Sequence, residues 1–77
     1  MAIFYQIVPK AQGGYFYIGK DELGNLVNKP KGEHSKDVSV IFKTSDGAKD
    51  YINKHLINSD YDVEEVYLDE QYFNINI

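Results

Sequence analysis

The densest chemistry in this 77-residue chain lies in residues 60–70, Asp-Tyr-Asp-Val-Glu-Glu-Val-Tyr-Leu-Asp-Glu. They hold six of the twelve carboxylates and neither Lys nor Arg. Three kinds of chemistry could use such a run. A calcium loop would begin at Asp60, Asp62 and Glu64. Its sixth position would then be Glu65, where the sharp turn demands Gly, and its twelfth Gln71 in place of a bidentate Glu. An acid–base dyad would need paired carboxylates. Neighbours such as Glu64-Glu65 or Asp69-Glu70 point to opposite faces of a strand and cannot act together. The third use is a row of charge. On one strand face Asp60, Asp62 and Glu64 would stand roughly 6.6 Å apart, on the order of the spacing of successive phosphates along one DNA strand. A protein with such a row could occupy the basic groove of a nucleic-acid enzyme.

Two other stretches invite a chemical reading. Gly14-Tyr15-Phe16-Tyr17-Ile18-Gly19-Lys20 fits the G-x-x-x-x-G-K skeleton of a phosphate loop. Asp21 follows where Ser or Thr would hold magnesium, and the four intervening residues are bulky strand formers without free amides. The same stretch is partly similar to the aromatic strand of an RNA-recognition motif, with Tyr15 and Tyr17 on one face. Phe16 occupies a position that calls for a small residue, and no Lys or Arg precedes Gly14. Tyr15 and Tyr17 as base-stacking platforms, aided by Lys10, Lys29, Lys31 and Lys36, make the alternative function: single-stranded nucleic-acid binding. His34 falls in a charged loop and His55 near a helix end. Without Cys they make a poor metal set, and neither has a nucleophile at a telling spacing. No cofactor, metal or catalytic residue is assigned.

Composition narrows the classes further. The length suits one small domain spanning residues 1–77, with a thin core. There is no Cys, so no disulfide framework supports it. A secreted domain of this size usually has such staples, which points to the cytoplasm. No apolar run approaches the roughly 20 residues of a membrane span, and residues 1–8 lack the basic start of a signal peptide. All eight basic residues are Lys, and the net charge is −4. The absence of Arg, with that charge, argues against a dedicated nucleic-acid binder. Abundant Lys, Asn, Ile, Tyr and Phe match AT-rich codon usage, as in a low-GC bacterium or its mobile elements. Charge is also divided along the chain: residues 1–43 carry six Lys against four carboxylates, residues 44–77 two Lys against eight. A field of that kind steers encounter with a basic partner.

The elements that must position these residues follow from periodicity. Strands are expected over about 2–8, 14–19, 26–28, 38–43, 63–68 and 72–77, and a helix over about 45–58. The first two strands read as a hairpin closed by residues 9–14. In the strand over 38–43, Val38, Val40 and Phe42 share a core-facing side. Thr44 or Ser45 caps the helix, Asp46 lies in its first turn, and Ala48, Tyr51, Ile52 and Leu56 form its apolar stripe. Asp50 and Lys54 form an i,i+4 pair. Val66 and Leu68 point inward. One helix against five to six short strands makes a two-layer α+β fold, with the helix on a mostly antiparallel sheet. The far face of that sheet has no second helix to cover it.

These features converge on a non-enzymatic protein–protein interaction module, a bacterial or phage accessory protein. Its sharper variant is an acidic inhibitor that mimics nucleic acid. The partner would be a protein with a basic surface, and an open edge or the uncovered face leaves room for a homodimer. The expected contact residues are Asp60, Tyr61, Asp62, Glu64, Glu65, Tyr67, Asp69, Glu70 and Tyr72, tyrosines giving area and carboxylates steering. A solvated, solubilising edge is the competing reading of the same residues.

Overall fold

The computed structural model describes residues 2–33 and 39–69. Val38, Glu70, Tyr72, Lys36, His34 and the strand expected over 72–77 lie outside the described residues. Among the described residues the fold is α+β, one helix packed on antiparallel strands. In chain order the elements are β1 (Ala2–Pro9), β2 (Phe16–Lys20), β3 (Leu26–Pro30), β4 (Ile41–Phe42), α1 (Ser45–His55) and β5 (Tyr61–Leu68). Short 3₁₀ turns fill Lys10–Gln12 and Asn58–Asp60.

β1 is the centre of a three-stranded sheet ordered β4-β1-β5, antiparallel throughout. Its register with β5 sets Ile3 opposite Tyr67, Tyr5 opposite Glu65, Ile7 opposite Val63, and, on the other face, Phe4 opposite Val66 and Gln6 opposite Glu64. β2 and β3 form a separate antiparallel hairpin, with an isolated bridge from Gly19 to Ser39 in the segment that leads into β4. The hairpin expected between the first two strands is therefore not formed. After Pro9 the chain makes a 3₁₀ turn and then passes Gly13 and Gly14 at φ 63° and 84°. These left-handed steps, natural to glycine, redirect β2 away from β1's ladder and towards β3.

The turn that does close a hairpin is built on Asp21. Its Oδ1 accepts the amides of Leu23 and Asn25, each at 2.9 Å, and its backbone exchanges bonds with Asn25 and Gly24. The amide of Asn25 is the main cause that holds the Asp21 carboxyl below its ordinary range; desolvation opposes it, and the Leu23 amide adds to the lowering. Gly24 at φ 84° completes the reversal.

Both faces of β1 are packed. On one face Ile7, Ile18, Val40 and Phe42 meet Ala48 and Ile52 of α1, with Tyr51, Leu56, Tyr61 and Val63 at the margin. On the other, Phe4, Ile41 and Leu68 form a second cluster edged by Ala2 and Val66. The far face is therefore partly a core of its own, which the expectation of a bare second face did not foresee. Val40 and Phe42 are core as expected, but Ile41 between them is also fully buried. β4 faces apolar surface on both sides, so strict alternation fails there.

Thr44, extended in its backbone, caps α1, and its Oγ1 accepts the Gly47 amide at 3.0 Å. It ends at His55, three residues before the expected boundary at 58. Leu56 turns extended (φ −132°, ψ 174°) while its amide still bonds the Ile52 carbonyl at 2.9 Å. Leu56 thus packs on the core from just outside the helix. The stripe Ala48, Tyr51, Ile52 and Leu56 and the 2.9 Å pair between Lys54 and Asp50 are found as expected. Thr44→Ala should destabilise the fold by about 1 kcal/mol, and Thr44→Ser by much less, since only the first removes the capping oxygen. Urea denaturation followed by far-UV circular dichroism measures both.

Candidate functional site

The acidic run is cut up by the fold. Asp60 closes the Asn58–Asp60 turn and is not part of the strand. The remaining residues alternate on β5. Asp62 and Glu64 point to the face of Phe4 and Gln6, whereas Tyr61, Val63, Glu65 and Tyr67 point to the face that carries α1. Tyr61 is half-buried against the helix-side core. Asp62 is exposed, with its Oδ1 on the neighbouring Val63 amide at 3.0 Å. Asp69 follows the strand and is exposed. The row Asp60, Asp62, Glu64 is thus broken at its first member.

It is altered at its last member as well. Gln6 is 2% exposed, and its Nε2 donates to Glu64 Oε1 at 3.1 Å. Lys31, which follows β3, donates from Nζ to Glu64 Oε2 at 2.9 Å and lies 2.8 Å from Oε1. A buried amide needs a polar partner; the register supplies Glu64, and Lys31 balances its charge. Glu64 is therefore a half-buried structural residue that ties the end of the hairpin to the sheet. The sequence reading missed Gln6 and Lys31 because nothing local joins positions 6, 31 and 64. Only strand register does.

The helix-bearing face shows a gradient of cover. Along the ladder Ile7 is wholly buried, Tyr5 half-buried, and Ile3 47% exposed; opposite them Val63 is half-buried, Glu65 exposed, and Tyr67 61% exposed. α1 covers one end of this face and stops short of the other. Ile3 and Tyr5 were not among the expected contact residues, although alternation placed both on one face with Ile7. What alternation could not say is where the helix ends its cover.

The two tyrosines of the alternative reading separate completely. Tyr15 is 76% exposed, but Tyr17 is wholly buried and has no face to offer a base. The Tyr17 hydroxyl donates to the Glu33 carbonyl at 3.1 Å and shares a 3.0 Å bond with Ser39 Oγ. With its own proton given to Glu33, the phenol receives that of Ser39. Burial pushes the Tyr17 phenol above its ordinary pKa; the Ser39 bond opposes this and the Glu33 charge adds to it. Among the described residues there is no enclosed cavity, no group of three His, Cys, Asp or Glu able to hold a metal, and no helix long and apolar enough to cross a membrane.

Comparison with protein families, with curated proteins and with solved structures finds no match for this chain.

Two measurements test this geometry. A double-mutant cycle with Lys31→Met and Glu64→Gln should give a coupling of about 0.5–1 kcal/mol, the size of a partly exposed ion pair, and shrink as salt rises. Burial raises the Tyr51 phenol as well, so ultraviolet titration should show late-ionising phenols above the ordinary tyrosine value, with the Tyr17 component lost in Tyr17→Phe. Because the folded pKa of Tyr17 is raised, its contribution to stability is complete below the unfolded value of about 10 and is lost as pH rises through the folded value.

Proposed function

We propose that the chain is a non-enzymatic protein–protein interaction module, a bacterial or phage accessory protein acting in the cytoplasm, that docks a partner with a basic surface along β5. The observation that carries this reading is the distribution of charge about that strand. β1 and β5 contain no Lys, whereas Asp60, Asp62, Glu65 and Asp69 are all exposed along or beside β5. Lys31 meets the one carboxylate of the strand that is drawn into the sheet. The exposed carboxylates of Asp60, Asp62 and Glu65 keep their field for a partner, and such a field raises the rate of encounter and suppresses wrong partners. Tyr67 adds a large, stiff contact side chain next to it.

A nucleic-acid mimic needs an ordered row of charge. With Asp60 in a turn and Glu64 paired to Lys31, this reading rests instead on a scattered acidic rim with an aromatic within it. The partner is accordingly defined by its basic surface, whether or not that surface handles nucleic acid.

The test is chemical cross-linking of the tagged chain in its native host, followed by pairwise binding of each captured protein over a salt series. A basic partner whose affinity falls steeply with ionic strength is expected. The double reversal Asp62→Lys with Glu65→Lys should weaken it about tenfold or more, while Asp46→Lys in the first turn of α1 leaves it unchanged. Unaltered binding by the double variant, or only neutral and acidic partners, would remove the proposal.

A further inference from the structure

We infer that the docking site is centred on the end of the helix-bearing sheet face beyond the reach of α1, Ile3, Tyr5, Glu65 and Tyr67, and that it takes an extended segment of the partner bearing an apolar side chain two residues from a Lys or Arg. This rests on the proposed interaction function and specifies the site and the chemistry of its occupant.

Three observations select this face. First, it is apolar where apolar side chains are usually covered. Ile3 and Tyr67 sit opposite each other across the ladder, 47% and 61% exposed, in continuity with the core that α1 seals at Ile7 and Val63. Isolated exposed side chains are ordinary, but a cross-strand pair at the edge of a core is a contiguous surface. Second, a carboxylate stands inside it. Glu65 lies between Val63 and Tyr67 on the same face and opposite Tyr5. It makes no hydrogen bond or ion pair with the described residues, unlike its neighbour Glu64. Third, neither strand supplies a basic residue to answer it.

The spacing fixes the occupant. Same-face residues on a strand recur at roughly 6.6 Å, which is the step from Glu65 to Tyr67. An extended partner segment repeats at the same step. An apolar side chain seated on Ile3 and Tyr67 therefore places the residue two positions away over Glu65, where Lys or Arg meets it. A second copy of this chain fits poorly, because its equivalent face brings another Glu65 and no Lys. Charge complementarity thus selects a basic partner over self-association.

The probe is a short blocked peptide, Leu-Ser-Lys-Ser-Leu-Ser-Lys, which sets Leu and Lys alternately along one face. It is titrated into the isotope-labelled chain at low salt and followed by amide shifts. Two control peptides replace Leu by Ser or Lys by Glu. The expected result is a set of shifts centred on Ile3, Tyr5, Glu65 and Tyr67, with at least half of the shift lost for either control and for Tyr67→Thr or Glu65→Gln. Both substitutions are at exposed positions, and their unperturbed spectra elsewhere report that the fold is kept. If the shifts centre on Asp60, Asp62 and Asp69, or the Ser-for-Leu control binds equally, the site inference fails while acidic docking stands. Absence of any salt-sensitive shift counts against both. Equal binding of the Glu-bearing control, or dimerisation of the free chain through Tyr67 in sedimentation and shift data, also overturns the inference.

Discussion

Gln6 shapes much of what surrounds it. β1 is hydrogen-bonded along both edges and packed on both faces, so each of its side chains is committed to an interior or to a boundary. A polar amide in such a strand has to be satisfied. Its cross-strand neighbour is Glu64, and a carboxylate drawn into that position is stabilised by a cation. Lys31 answers from the end of the hairpin. One polar residue in the central strand thereby links the register of β5, the seat of the β2–β3 hairpin and the one carboxylate of β5 that Lys31 neutralises. A one-residue slip of β5 would take Tyr61 and Val63 off the helix-side core and set Asp62 and Glu64 on that face in their place. The apolar pattern and the polar chain specify the same register.

That register divides the acidic run into two surfaces with different physics. On the side of Phe4 and Gln6, Glu64 is held by Lys31 and Asp62 bonds its own strand's amide. On the side of α1, Glu65 has apolar neighbours. Read as a linear string, the six carboxylates look equivalent. In the fold, Glu64 belongs to the sheet's own stability, and Glu65 and Asp62 remain on the surface in different settings.

Local patterns carried the elements that local physics decides. The helix was legible because Thr44 can cap, Asp46 suits the first turn and four apolar residues recur at helical spacing. β1 and β5 were legible by alternation and by Pro9 and Leu68 at their ends. Pairing was not. The segment over 9–14 has every mark of a hairpin turn, yet two successive left-handed glycines turn the chain out of β1's plane; the composition of a turn does not encode its direction. Tyr15 and Tyr17 share a face by alternation, but Tyr17 is buried with its hydroxyl on Ser39 and the Glu33 carbonyl, far along the chain, while Tyr15 stays outside. The helix boundary shifted because Leu56 satisfies its amide and its packing from an extended conformation, which apolar spacing alone cannot distinguish from another helical turn.

Size limits how such a chain can recognise anything. A domain measuring 31 × 25 × 23 Å spends most of its apolar residues on two thin cores, and a deep pocket would have to come out of one of them. The docking proposed above accordingly uses an open surface. A standard interface takes roughly 800 Å² per partner, about a sixth of the 4963 Å² exposed here. Carboxylates alone do not hold so broad a contact: at high dielectric each exposed pair contributes little, and steering acts on the approach more than on the residence. A contact of this size gains its lifetime from desolvated apolar area. On β1 and β5 that area exists where α1 stops, at Ile3 and Tyr67. The short helix that covers Ile7 and Val63 is therefore also what leaves Ile3 and Tyr67 exposed on the same face.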